Sequence, residues 1–210
     1  MTTGTRTLCL PPPLALPQDY SERSGLDQPT GPIYAGRSEV QYRGAGLNNF
    51  SDYQSKLDEA YQGEFYGLAM YRRIADARPH PDEKEKWRLL VRLEEVTRSV
   101  LEPVLKRHGM ATDARPESLC EGERDAEGYM HLPWDQLMRR FSDELDADID
   151  EYSALLAIAP PGDREAIRFL VDHEIVAKAF CEGELDGRPD QSAAPVEALL
   201  ARAPSLLAHP

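Results

Sequence analysis

The chain is short of cysteine, short of basic residues relative to acidic ones, and has no long apolar run. Its three cysteines, Cys9, Cys120 and Cys181, are scattered and form no CxxC pair. The sequence therefore offers neither a disulfide framework nor a thiolate metal motif. Lys and Arg number 24 against 37 Asp and Glu, a net charge of −13. That balance argues against nucleic-acid binding, which needs cations to displace the counterions of phosphates. It argues equally against anionic membrane surfaces. No apolar stretch approaches the ~20 residues of a membrane span. The segment Leu8 to Leu16 is broken by Pro11, Pro12 and Pro13 and does not read as a signal peptide, and Cys9 has no apolar run before it. The expectation is a cytoplasmic protein with thiols kept reduced. No glycine-rich phosphate loop follows a strand, and G-x-S-x-G and H-E-x-x-H are both missing.

What the sequence does contain is helical periodicity. Residues 1–48 are rich in Pro and Gly, show no sustained period, and read as an extended arm. Within it Ile33, Tyr34, Ala35, Val40, Gln41 and Tyr42 are candidates to pack on the body or on a neighbouring subunit. From Ser51, with Gln54 a capping box, Tyr53, Leu57, Ala60, Glu64, Leu68, Tyr71 and Ala75 recur at steps of three and four. This first helix ends at Pro79 and Pro81. A second runs from Asp82, with an acidic first turn, to Gly109. Its stripe is Trp87, Leu90, Glu94, Thr97, Leu101, Val104 and His108, and Pro103 should kink it. Residues 110–132 show no clear period. Pro133 opens a third helix with the stripe Trp134, Met138, Phe141, Leu145, Asp148, Tyr152 and Leu155. After Pro160, Pro161 and Gly162, Asp163 caps a fourth, with the stripe Ile167, Leu170, Glu174, Ala177, Cys181 and Leu185. A short helix should follow at 195–208. The domain reading is an arm at 1–48, a helical body at 49–190 and a tail at 191–210.

Each of the four stripes holds one acid where an apolar residue belongs: Glu64, Glu94, Asp148 and Glu174. A carboxylate in a core is unfavourable unless paired, protonated or bound to a cation. Depth can be counted from each turn. Glu64 lies 15 residues before Pro79 and Glu94 lies 15 after it; Asp148 lies 12 before Pro160 and Glu174 lies 13 after Pro161. At one rise per residue all four fall near one level, which makes a plausible cation site.

The run Glu64-Phe65-Tyr66-Gly67-Leu68-Ala69-Met70-Tyr71 resembles the first helix of the ferritin and rubrerythrin superfamily, where an inward Glu is followed seven residues later by a Tyr. Leu170-Val171-Asp172-His173-Glu174-Ile175-Val176-Ala177 is similar to its last helix. The resemblance, spanning about residues 51–187 in topology, implies an all-α ferritin-like four-helix bundle, with a long crossover between its second and third helices. The midpoint of that bundle holds, or once held, a di-iron or di-manganese centre. The superfamily places Glu-x-x-His on the second and fourth helices. Here Glu94 is followed by Glu95, Val96 and Thr97, and Glu174 by Ile175, Val176 and Ala177, so both histidines are missing. Asp148 stands where a Glu is usual, with Glu144 and Glu151 as alternatives one turn away.

The expected ligands are Glu64, Glu94, Asp148 and Glu174, with Tyr71, Thr97, Tyr152 and His173 around them. His173, about 100° round the helix from Glu174, is not expected to fill the missing histidine's place. Without an imidazole the site suits hard ions, or a cluster of carboxyls sharing protons. Iron, manganese or no metal all remain open. The expected activity is a metal-dependent oxidoreductase with an altered centre. The alternative is a non-catalytic binding or assembly protein of the same fold. The plain reading of the acids is that Glu64 and Glu94 pair with Arg72, Arg92 or Arg98 at the core edge. His108 is expected to meet the last carbonyls of its own helix or the dipole there, and Cys181 to be a small core residue. A homo-oligomer, most simply a dimer, is the expected assembly.

Overall fold

A computed structural model describes residues 49–208, which form one compact helical unit. The expected arm at 1–48, including residues 33–35 and 40–42, lies outside the described residues. Among the described residues there are six α-helices and no strands. They are α1 (Asn49–Ala77), α2 (Pro81–Arg107), α3 (Pro116–Asp125), α4 (Trp134–Ile158), α5 (Arg164–Leu185) and α6 (Ala194–Leu207), with a 3₁₀ turn at Ala126–Gly128. No helix is long and apolar enough to cross a membrane.

The long helices end where the breakers stand. Gly109 takes φ +68° after α2, and Gly187 takes φ +70° after α5. Both positions need the left-handed backbone that glycine adopts without strain. Pro133 precedes α4, and α2 continues through Pro103 to Arg107. Helix α1 begins before Ser51, so Ser51 and Gln54 lie inside it rather than forming its cap. The Gln54 amide instead donates to the His108 carbonyl, 3.4 Å away.

Two short connections make helical pairs, α1 with α2 and α4 with α5. Helix α2 packs on α5, and α1 on α4. The segment 110–132, expected to lack regular structure, contains α3, which lies along α1. Pro116 at its first turn was a start signal. The periodicity was hidden because Gly122 is the contact residue. A Cβ there would sit 2.2 Å from the Tyr66 carbonyl oxygen, so only glycine permits the approach. Helix α6 covers α5 and α2 and buries Val196, Leu199, Leu200 and Ala203 in the same core as Trp87.

The core is divided into two apolar clusters. One is built around Tyr71, Trp87 and Phe141, whose rings meet edge to face at 5.0–5.5 Å between centroids. Such pairs add about 1 kcal/mol each to ordinary burial. The other holds Tyr53, Leu57, Tyr61, Leu101, Leu105, Ile167 and Leu170. Buried ion pairs tie the helices together. Arg78 donates to Glu83 at 2.7 Å and to the Leu132 carbonyl at 2.9 Å. Glu184 accepts from Lys86 at 2.7 Å and from the Trp134 indole at 2.9 Å.

Two further expectations change. His108 caps the end of α2, and its side chain meets a partner the stripes did not suggest. Its Nε2 lies 2.6 Å from Asp163 Oδ2, and the Asp163 carboxylate also accepts from Tyr53 Oη and Arg107, each at 2.9 Å. Asp163 precedes α5 but makes no side-chain cap to it, because three partners from α1 and the end of α2 occupy its oxygens. Burial alone would raise this carboxyl, yet the hydrogen bonds from His108, Arg107 and Tyr53 outweigh it and hold it below the ordinary range. Among the cysteines, Cys181 is free and buried as expected, whereas Cys120 is disulfide-bonded.

Candidate metal centre

Between the two apolar clusters runs a polar layer. On α1 it is Glu64, between Tyr61 and Met70; on α5 it is His173 and Glu174, between Leu170 and Ala177. Helix α2 contributes Glu94 and Thr97. Glu64, Glu94, Thr97, His173 and Glu174 are all buried, with exposures of 2%, 4%, 0%, 1% and 7%. Asp148, on α4, is only half-buried. Its charge nonetheless raises the pKa of Glu64, Glu94 and Glu174.

The residue placed differently from expectation is His173. Its imidazole lies inside the layer, with Nδ1 3.5 Å from Glu64 Oε2 and Nε2 3.6 Å from Glu94 Oε1. One donor atom each from Glu64, His173 and Glu174 lies within 4.8 Å of the other two. The stripe argument put His173 aside because it assumed that α5 buries one narrow face. Helix α5 packs against α2, α4 and α6, so it buries Phe169, Val171, His173 and Phe180 as well as the stripe through Leu170, Glu174 and Ala177. The signal was in the sequence: Phe169, Val171, Val176 and Phe180 make this helix apolar on most sides.

Local features fix each group. The Glu94 carboxylate lies against the α1 backbone at Gly67, where a Cβ would come within 2.6–2.8 Å of it. Glycine at 67 is thus what admits the acid. The Tyr152 hydroxyl lies over Gly63, 3.1 Å from where a Cβ would be. Thr97 donates to the Leu93 carbonyl of its own helix at 2.9 Å, which spends its proton within α2. Tyr71 stacks edge to face on Trp87 and Phe141 in the apolar cluster, and burial, then the charges of Glu94 and Glu174, raise its hydroxyl well above the ordinary value. Of the alternatives to Asp148, Glu144 accepts from Tyr129 and Arg140 and does not belong to the layer.

The expected arginine pairings are not the ones that form. Arg72 pairs with Glu95, and Arg98 lies 3.6 Å from Glu102. Among the described residues no Lys or Arg is within ion-pair distance of Glu64, Glu94 or Glu174. Burial is consequently the dominant influence on all three acids. It pushes Glu64 up to about 8, against the opposing hydrogen bond from Glu94, with Asp148 adding to the rise. Glu94 is driven well above the carboxylate range by burial and then by the Glu64 charge, with His173 opposing. Glu174 is raised by burial too, again opposed by His173.

The test of whether these groups suit a cation is the fate of their buried polar atoms. Glu64 Oε2 and His173 Nδ1 are both fully buried, and neither has a hydrogen-bond partner. Two adjacent unpartnered atoms in a dry core are unfavourable by about 1–3 kcal/mol each. One is a carboxyl oxygen and the other an imidazole nitrogen, which together with Glu174 form a mixed oxygen and nitrogen donor set. A first-row divalent ion is satisfied by that set, and it would resolve both orphan atoms at once. No protein-family model, curated protein or solved structure matches this chain.

Proposed function

We propose that this is a ferritin-like helical bundle protein that binds iron or manganese in its core, at Glu64, His173 and Glu174, as an oxidoreductase with an altered metal centre. The observation that carries the reading is the buried, unpartnered pair Glu64 Oε2 and His173 Nδ1, 3.5 Å apart. Support for the ferritin-like arrangement comes from the helix order: two pairs, α1 with α2 and α4 with α5, joined by the long segment that carries α3. A bound iron or manganese supplies one-electron or Lewis-acid chemistry. The chain's own part is to hold the ion with one imidazole and two carboxylates, and to keep water out with the apolar clusters above and below. Asp148, half-buried beside the layer, biases the site toward cations through its charge.

A second reading is favoured by the raised carboxyls. With Glu64 near 8 and Glu94 and Glu174 higher than usual, protons alone neutralise the layer. In that case the fold serves as a non-catalytic binding or assembly module. Elemental analysis of the full chain, purified without chelator or affinity tag, separates the two. Stoichiometric iron or manganese, lost in both Glu64→Ala and Glu174→Ala, supports the metal centre. Metal-free protein whose melting temperature ignores added Fe²⁺ and Mn²⁺ supports the second reading.

A further inference from the structure

We propose that the site takes a single divalent transition ion, bound through Nδ1 of His173, and that Glu94 is a positioning residue and not a ligand. This rests on the metal reading above. The donor constellation has three members, Glu64, His173 and Glu174, and Glu94 is not one of them. Its Oε1 faces the other ring nitrogen, Nε2, at 3.6 Å.

The two nitrogens of an imidazole direct their lone pairs away from each other. An ion on Nδ1 therefore lies on the opposite side of the ring from a group that meets Nε2 along its axis. Atoms 3.5 Å apart, as Glu64 Oε2 and Nδ1 are, can both reach one ion at the ~2.1 Å bonding distance of a first-row metal. Binding at Nδ1 requires that nitrogen to be unprotonated, so the proton must sit on Nε2. Glu94 is placed to accept it. A carboxylate behind a ligating histidine fixes both tautomer and ring orientation. Gly67 keeps Glu94 in that place, since any Cβ there would press within 2.6–2.8 Å of the carboxylate.

Two carboxylates and one histidine from two helices supply three ligands to one ion, as many as an open tetrahedral site takes from the protein. A two-metal centre would need Glu94 and a further donor to swing onto the Nε2 side, where among the described residues no second imidazole is within reach. The number of ions and the identity of the metallated nitrogen are thus coupled predictions.

The experiment uses full-length protein stripped with chelator and reloaded with Zn²⁺ as a diamagnetic probe. Bound zinc is counted by elemental analysis, and imidazole tautomers are read from long-range ¹H–¹⁵N spectra. One zinc per chain is expected, with a single metal-shifted imidazole that is metallated at Nδ1 and protonated at Nε2. Glu94→Gln should retain one zinc while its affinity falls roughly ten- to hundred-fold; His173→Gln should abolish binding and the shifted signal together. Two zinc ions per chain overturn the proposal, as does metallation at Nε2, and both leave metal binding itself intact. Failure of the unmutated protein to bind zinc, iron or manganese overturns the metal reading as well. The spectra of the unmutated protein decide the matter even if a variant fails to fold.

Discussion

Without metal, the protein should become less stable as pH rises from 5.5 to 7.5, the reverse of what most carboxylates cause. Glu64 ionises near its ordinary value of 4.5 in the unfolded chain but at about 8 in the fold. Between those values the folded protein holds a proton that the unfolded chain has released. Stability then falls by about 1.4 kcal/mol per pH unit for each such proton. Glu64 alone predicts a loss of about 2–3 kcal/mol between pH 5.5 and 7.5. Glu94 and Glu174, raised by the same burial, steepen the slope. Asp163 acts oppositely, but its carboxyl lies below the ordinary range, so its contribution is lost only at more acidic pH. Urea denaturation in EDTA at pH 5.5, 6.5, 7.5 and 8.5 measures the slope. Glu64→Gln, which keeps the shape and removes the titration, should flatten it by about one proton's worth and be more stable than the unmutated chain at pH 8.5. A stability that is level or rising across this range, or a slope that Glu64→Gln leaves unchanged, refutes the account of a dry, unpaired carboxyl layer. Metal binds the ionised acids, so the same titration with excess Mn²⁺ should show the loss suppressed.

Other outcomes follow from contacts elsewhere. Asp163→Ala removes the shared partner of Tyr53, Arg107 and His108 and should destabilise by about 3 kcal/mol, whereas Tyr53→Phe should lose only about 1 kcal/mol in the same denaturation assay. Gly122→Ala must drive α3 off the Tyr66 carbonyl; a loss of about 2–3 kcal/mol is expected, together with faster hydrogen exchange across 116–125. Gly67→Ala pushes against the Glu94 carboxylate. Its effect should appear mainly as weaker Zn²⁺ binding in calorimetry, with a smaller change in melting temperature.

The sequence by itself determined the helices. Apolar residues at steps of three and four, proline at the starts and glycine at the stops are local signals, and α1, α2, α4, α5 and α6 begin and end within a few residues of them. It also determined the acids at a common depth, because rise per residue is a property of the helix and not of its neighbours. What the tertiary structure decided is which way groups outside the stripes face. His173 entered the polar layer because α5 is enclosed by α2, α4 and α6, and a helix covered on several sides buries more than one stripe. Asp148 is only half-buried, although its distance from its turn put it near the level of Glu64. Helix α3 was hidden by the very glycine that lets it touch α1. Asp163 left its own helix to serve Tyr53, Arg107 and His108, residues 55 to 110 positions away. Partners at such separations leave no periodic trace in a sequence, because only folding brings them within hydrogen-bond range.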